Sequence, residues 1–172
     1  MALLRIYHYP EAVLAQKAAP VTTIDAALRT LARDMAETMY AAPGVGLAAP
    51  QVGVSQRLIV LDCARKDDPP ALIVAVNPEI VASDGDSCEE EGCLSVPGYY
   101  TRVDRAARVT VRFLDLEGQL RQVEAEGLLA VAFQHEIDHL DGILFVDRLS
   151  SLKKGIFRRK YRKMLEQQQE QL

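Results

Sequence analysis

The stretch Gly127-Leu128-Leu129-Ala130-Val131-Ala132-Phe133-Gln134-His135-Glu136-Ile137-Asp138-His139-Leu140-Asp141 decides how the rest of the chain must be arranged. It contains His135-Glu136-x-x-His139. On a helix, residues four apart lie one turn apart on the same face. Both imidazoles can then reach one metal ion, with Glu136 beside it as a proton carrier. Leu128, Val131 and Ala132 recur on the histidine face, and Leu129, Phe133, Ile137 and Leu140 cover much of the rest. A helix apolar nearly all round is a buried helix, and Gly142 offers a stop just after it. Two histidines and three acids on such a helix are costly unless they bind something. The chain holds three histidines, and two of them sit in this pattern. The third, His8, stands beside Tyr9 and Pro10 and reads as a surface or turn residue.

At 172 residues the chain suits one domain, spanning 1–172, with a sizeable core. Hydrophobic residues make up 49% and charged residues 26%, an ordinary globular balance. No apolar run approaches the roughly 20 residues that span a bilayer, so no membrane contact is expected. The N-terminal apolar region is too short for a secretory signal, which makes a cytoplasmic location the expectation. Three cysteines, Cys63, Cys88 and Cys93, cannot all pair within one chain; they suit a reducing compartment, with thiols free for metal or chemistry. The net charge of −4 is unevenly spread, because residues 153 to 163 hold seven Lys or Arg and no acid. An acidic body with a basic end points to an anionic partner.

Outward from the central helix, residues 1 to 23 read as an irregular lead-in broken by Pro10 and Pro20. Thr22-Thr23-Ile24-Asp25 carries helix-capping chemistry, and Leu28, Leu31, Met35 and Met39 then recur at helical spacing to about Ala41. Residues 43 to 53 form a loop of glycines and alanines that lets another backbone approach closely; the Lys-Ser/Thr of a phosphate loop is missing. Gln51 is its one polar side chain in the middle, an amide able to donate to an oxygen. Residues 57–62 and 71–81 are strand-like, with a turn at 66–70, and Asp84-Gly85-Asp86 marks another turn. Residues 106–116 alternate as a strand, turn at Glu117-Gly118 and pair with 119–124 in a hairpin that feeds the central helix. The segment 150–172 reads as a C-terminal helix with an apolar stripe of Leu152, Ile156, Phe157, Tyr161 and Met164, frayed at its end.

A catalytic metal site takes three protein ligands and one open position. The third ligand is not fixed by the helix. Gly142 fits one known continuation, but Phe145 stands where that continuation needs a histidine. Glu166 lies in the polar tail. A cysteine is the better candidate, and the setting Gly92-Cys93-Leu94-Ser95-Val96-Pro97-Gly98 favours Cys93 over Cys63 and Cys88 without deciding among them.

Three segments together resemble one family. Gly44-Val45-Gly46-Leu47-Ala48-Ala49-Pro50-Gln51, Glu91-Gly92-Cys93-Leu94-Ser95 and Gln134-His135-Glu136-Ile137-Asp138-His139-Leu140 look like the three motifs of bacterial peptide deformylases, in the family's order and spacing. The resemblance implies an α+β fold: antiparallel sheets around a central buried metal-binding helix, with an N-terminal and a C-terminal helix. It implies that Cys93, His135 and His139 bind one divalent metal ion per chain, Fe2+ in the cell, with Zn2+, Ni2+ or Co2+ able to occupy the site. Glu136 would be the general acid/base, and Gln51 with the backbone N–H of Leu94 would stabilise the oxyanion. Gly46 and Val45, with Leu128 and Val131, would contact the substrate. That substrate is the N-formylmethionyl end of nascent chains, from which the family releases formate by attack of metal-activated hydroxide on the formyl carbon. The C-terminal helix resembles the branch in which it is associated with ribosome docking, and ribosomal RNA is an anionic surface that suits the basic segment. This chain departs from many members at Glu11-Ala12-Val13-Leu14-Ala15, and from some members, which carry a basic residue, at Tyr100; both bear on side-chain preference along the bound peptide. Two other readings stand beside this one: a zinc-type metallopeptidase, and a non-catalytic, ribosome-associated metal-binding domain.

Overall fold

The structure is a computed structural model that describes residues 2–170. Its elements, in order, are α1 (Ala26–Ala41), β1 (Gly46–Ala48), β2 (Leu58–Leu61), β3 (Ile73–Cys93), β4 (Val96–Leu114), β5 (Leu120–Glu126), α2 (Gly127–Leu140) and α3 (Ser151–Glu170), with short 3-10 turns at Ala12–Ala15, Ala49–Val52 and Phe145–Arg148. The strands form one antiparallel sheet in the order β1-β2-β3-β4-β5. This is the expected α+β fold, built on one five-stranded sheet.

Alternation in β2 builds the layers. Successive side chains of a strand point to opposite faces. Ile59 and Leu61 pack with Phe133, Ile137 and Leu140 of α2. Leu58 and Val60 pack with Leu28, Met35 and Met39 of α1. The sheet is therefore covered on both faces at β2, whose four residues are fully buried, while the middle of β3 is exposed. Helix α1 starts where its sequence says it should: Asp25 caps it by accepting from the Leu28 N–H at 2.9 Å. Helix α2 ends at Leu140, and Gly142 turns away with φ +74, where a side chain would collide with the Ala15 carbonyl. A third cluster seats α3: Phe157 and Tyr161 pack with Val96, Val103, Phe145 and Tyr9.

Four local expectations are corrected. The turn expected at Asp84-Gly85-Asp86 is the middle of β3. Gly85 adopts φ +70 inside the strand, while its neighbours keep their pairing, Asp84 with Arg108 and Asp86 with Ala106. Cross-strand pairing with β4 outweighs the local turn signal, and the glycine becomes a kink. Strand β4 begins at Val96, ten residues before the alternation that announced it. The glycine-rich loop contains β1, a three-residue strand of small residues with little strand propensity of its own. Leu152 is exposed, so the apolar stripe of α3 starts one turn later, and α3 remains helical through Glu170; the rest of the expected frayed end, 171–172, lies outside the described residues.

Candidate metal centre

Three elements meet at one point. Helix α2 presents His135 and His139 one turn apart. The hairpin between β3 and β4 presents Cys93, with Leu94 and Ser95 as its two-residue turn. The 3-10 turn after β1 presents Gln51. One ligand atom from each of Cys93, His135 and His139 lies within 4.8 Å of the others. Cys93 Sγ stands 3.4 Å from His139 Nε2, and the Ser95 N–H donates to that sulfur at 3.4 Å. Cys63 and Cys88 lie outside the group, Cys88 exposed on β3 and Cys63 against the core of α2. His8 is exposed, and Glu166 is exposed on α3.

Gln51 is 1% exposed, which removes the reading of a solvated loop side chain. Its Oε1 accepts from the Ala48 N–H at 2.9 Å, and this fixes the amide's orientation. The NH2 group then faces Ser95 Oγ at 3.1 Å and Cys93 Sγ at 3.6 Å. Gly46 owes its identity to Glu136: a Cβ there would stand 2.5 Å from Glu136 Oε2. The glycine therefore lets the carboxylate lie against the start of β1.

Burial and close charges perturb the ionisable groups of the site strongly. His135 and Glu136 are buried, at 8% and 5% exposure. Burial pushes the Glu136 carboxyl up to about 7, against the pull of His135 and Arg105. Burial opposes charging of His135, but the Glu136 charge, Cys93 and Glu91 together hold its ring well above the usual range. Burial and the neighbouring positive charges keep His139 well below it, as a neutral ring. Glu136 Oε1 and His139 Nδ1 are buried with no hydrogen-bond partner among the described residues. A thiol and two imidazoles form a donor set suited to a borderline divalent metal, with the unpaired carboxyl of Glu136 beside them, and the residues present fit one.

Sequence reasoning missed what stands behind His135. Its Nδ1 lies 3.0 Å from Glu91 Oε1, which leaves Nε2 as the free ring nitrogen. Glu91 is forked by Arg105 at 2.9 Å and 2.9 Å, and Arg105 also reaches Asp138 at 2.6 Å. A signal existed: Arg105 has the same parity as Val103, Val109, Val111 and Phe113, so it falls on the buried face of β4. An arginine there answers the acids of α2.

The group opens into a cleft of about 560 Å³. Val45, Gly46, Gln51, Leu94, Leu128 and Val131 line it, together with Cys93, His135 and Glu136. Leu128 is 55% exposed at the rim, because the first turn of α2 emerges from the core there. Strand β1 is an edge strand, paired only to β2, and it borders this cleft.

The sequence model of the family described as polypeptide deformylase matches residues 3–155. A peptide deformylase of Syntrophobacter fumaroxidans is 54% identical over 97% of this chain and 98% of its own. One from Thermodesulfovibrio yellowstonii is 52% identical over 94% of this chain and 98% of its own. The crystal structure of a peptide deformylase from Legionella pneumophila superposes with a TM-score of 0.89 at 52% identity, covering 97% of this chain and 98% of that one. With its fold, its three motifs and its relatives in agreement, this chain belongs to the polypeptide deformylase family.

Proposed function

We propose that this enzyme removes the formyl group from the N-formylmethionyl end of nascent polypeptides, as a metal-dependent hydrolase that releases formate. The observation that carries the reading is the convergence of Cys93, His135 and His139 within 4.8 Å, beside the unpartnered carboxyl of Glu136 at the base of a cleft. Cys93, His135 and His139 hold one divalent ion per chain. Ferrous iron is the working metal, and zinc, nickel or cobalt suit the same donors. Such an ion supplies Lewis acidity and brings water to nucleophilic strength near neutral pH.

The protein's own groups do the rest. Glu136 takes a proton from the attacking water and later gives it to the departing amine. A C–O bond forms at the formyl carbon as the C–N bond breaks, so formate and a free amine leave. Gln51 Nε2 and the Leu94 N–H meet the oxyanion, and each such donor contributes on the order of 3 kcal/mol. The free edge at Gly46 pairs with the extended peptide, with Val45 beside it. Leu128 and Val131 give the first side chain an apolar wall. The basic face of α3 docks the enzyme on ribosomal RNA, where seven cations and no acid between residues 153 and 163 meet a polyanion.

The ligand set is tested by metal content and formate release. Cys93→Ala is expected to lose metal and turnover, whereas Cys63→Ala and Cys88→Ala keep both. A Cys88→Ala protein that behaves like Cys93→Ala would sink the assignment.

A further inference from the structure

Four charged side chains stand in line behind His135. Arg148, in the 3-10 turn before α3, forks onto Asp138, with Nε to Oδ2 at 2.6 Å and Nη2 to Oδ1 at 2.6 Å. Asp138 Oδ2 also accepts from Arg105 Nη1 at 2.6 Å. Arg105 forks onto Glu91, and Glu91 Oε1 reaches His135 Nδ1. The side chains of Asp138, Arg105 and Glu91 are 9%, 3% and 5% exposed, against 44% for Arg148. The line therefore runs from solvent to a residue of the metal centre.

We propose that Arg148 is a positioning residue for the metal centre, acting on the ring of His135 through Asp138, Arg105 and Glu91. This rests on the reading of Cys93, His135 and His139 as the metal-holding group. Asp138 lies three residues past His135 on α2, so its carboxylate belongs to the turn that carries both histidines. With Arg148 in place, that carboxylate has two cations and Arg105 can be shared. Without it, Asp138 keeps only Arg105, whose planar fork cannot align fully with Asp138 and Glu91 at once. Drawing Arg105 toward Asp138 shifts Glu91. Because one Glu91 oxygen holds both Arg105 and His135, that shift turns the His135 ring. A cavity of about 380 Å³, lined by Arg105, Asp138, Arg148 and Gln134 along with Asp86 and Asp104, lies along this line. Water entering there can replace the hydrogen bonds of Arg148, but neither its charge nor its fork.

The test is equilibrium binding of Co2+ to the metal-free full chain, read by the thiolate-to-cobalt absorption band. Cys93→Ser is expected to abolish that band in an otherwise native chain; a band that persists would defeat the ligand reading itself, separately from the role of Arg148. Partners that hold the far nitrogen of a ligating histidine are worth about 10–100-fold in metal affinity. Arg148 stands at the end of the line, so Arg148→Ala should weaken Co2+ binding by about tenfold, the low end of that range. In an Asp138→Asn background the same change should have an effect below about twofold, because its route is already cut. Arg148→Lys keeps the charge without the fork and should recover part of the loss seen in Arg148→Ala. The proposal is overturned if Arg148→Ala binds Co2+ like the unaltered chain, if its full loss persists with Asn at position 138, or if Arg148→Lys recovers none of it.

Discussion

Helices α2 and α3 both carry a dense set of ionisable side chains, in opposite surroundings. On α2, His135, Glu136, Asp138 and His139 are all buried. Each meets a specific partner or faces the cleft. On α3 only Phe157 and Tyr161 are buried, and six of the seven cations between 153 and 163 stand in solvent, with Lys154 half-buried. A charge taken out of water must be paired or must bind something, whereas a solvated one is nearly indifferent to its neighbours. An ionisable group on α2 therefore needs a compensating partner, whereas a cation on α3 exerts at most a long-range attraction.

The contrast is broken most sharply at Glu136. Glu136→Ala should keep its metal and fold while turnover falls by about 10²–10⁴-fold, the usual worth of a positioned proton carrier. Retained turnover in a metal-loaded Glu136→Ala protein would remove the acid/base role. The effect on α3 is of another kind. Phe157 is 2% exposed, meets Tyr9 and Tyr99 edge-on and stacks on Tyr161. Phe157→Ala should cost about 3–5 kcal/mol in a denaturant titration, as other buried Phe truncations do. A change within error would mean that α3 is barely held by this cluster. The smallest effect belongs to the surface of α3. Reversing the charges at Lys153, Lys154, Arg158 and Arg159 should leave small-peptide turnover unchanged and weaken ribosome co-sedimentation. Unchanged co-sedimentation would return those residues to a plain solvated face.

The same physical divide governs what could be read from the sequence. Helix α2 was legible because its apolar residues surround a pattern whose charges have no reason to be buried except a bound ion. Helix α1 was legible through Asp25 and the spacing of Leu28, Met35 and Met39. The long hairpin was not. Asp84-Gly85-Asp86 carries the local chemistry of a turn, and only pairing with Arg108 and Ala106 twenty or more residues away makes it strand. Strand β1 was hidden for a related reason: Gly46, Leu47 and Ala48 have no strand preference until β2 lies beside them. At the site, His135, His139 and Gln51 stood out by residue type. The choice among three cysteines needed the resemblance, and the hairpin turn then placed Cys93 beside the histidines. The motif around Cys93 gives Glu91 no separate role, and the alternation of β4 turns Arg105 inward without showing what it meets, nor does any local pattern mark Arg148. Their importance lies in contacts between α2, β3, β4 and the turn before α3, a relation no single stretch of sequence contains.

Deformylation is tested most directly by formate release from formyl-Met-Ala-Ser by anaerobically purified protein, with acetyl-Met-Ala-Ser as control. Rapid formate from the formyl peptide is expected, with no release of a free amine from the acetyl peptide and loss of activity when the bound metal is stripped. Absence of turnover on either peptide, in protein carrying one metal per chain, would contradict deformylation.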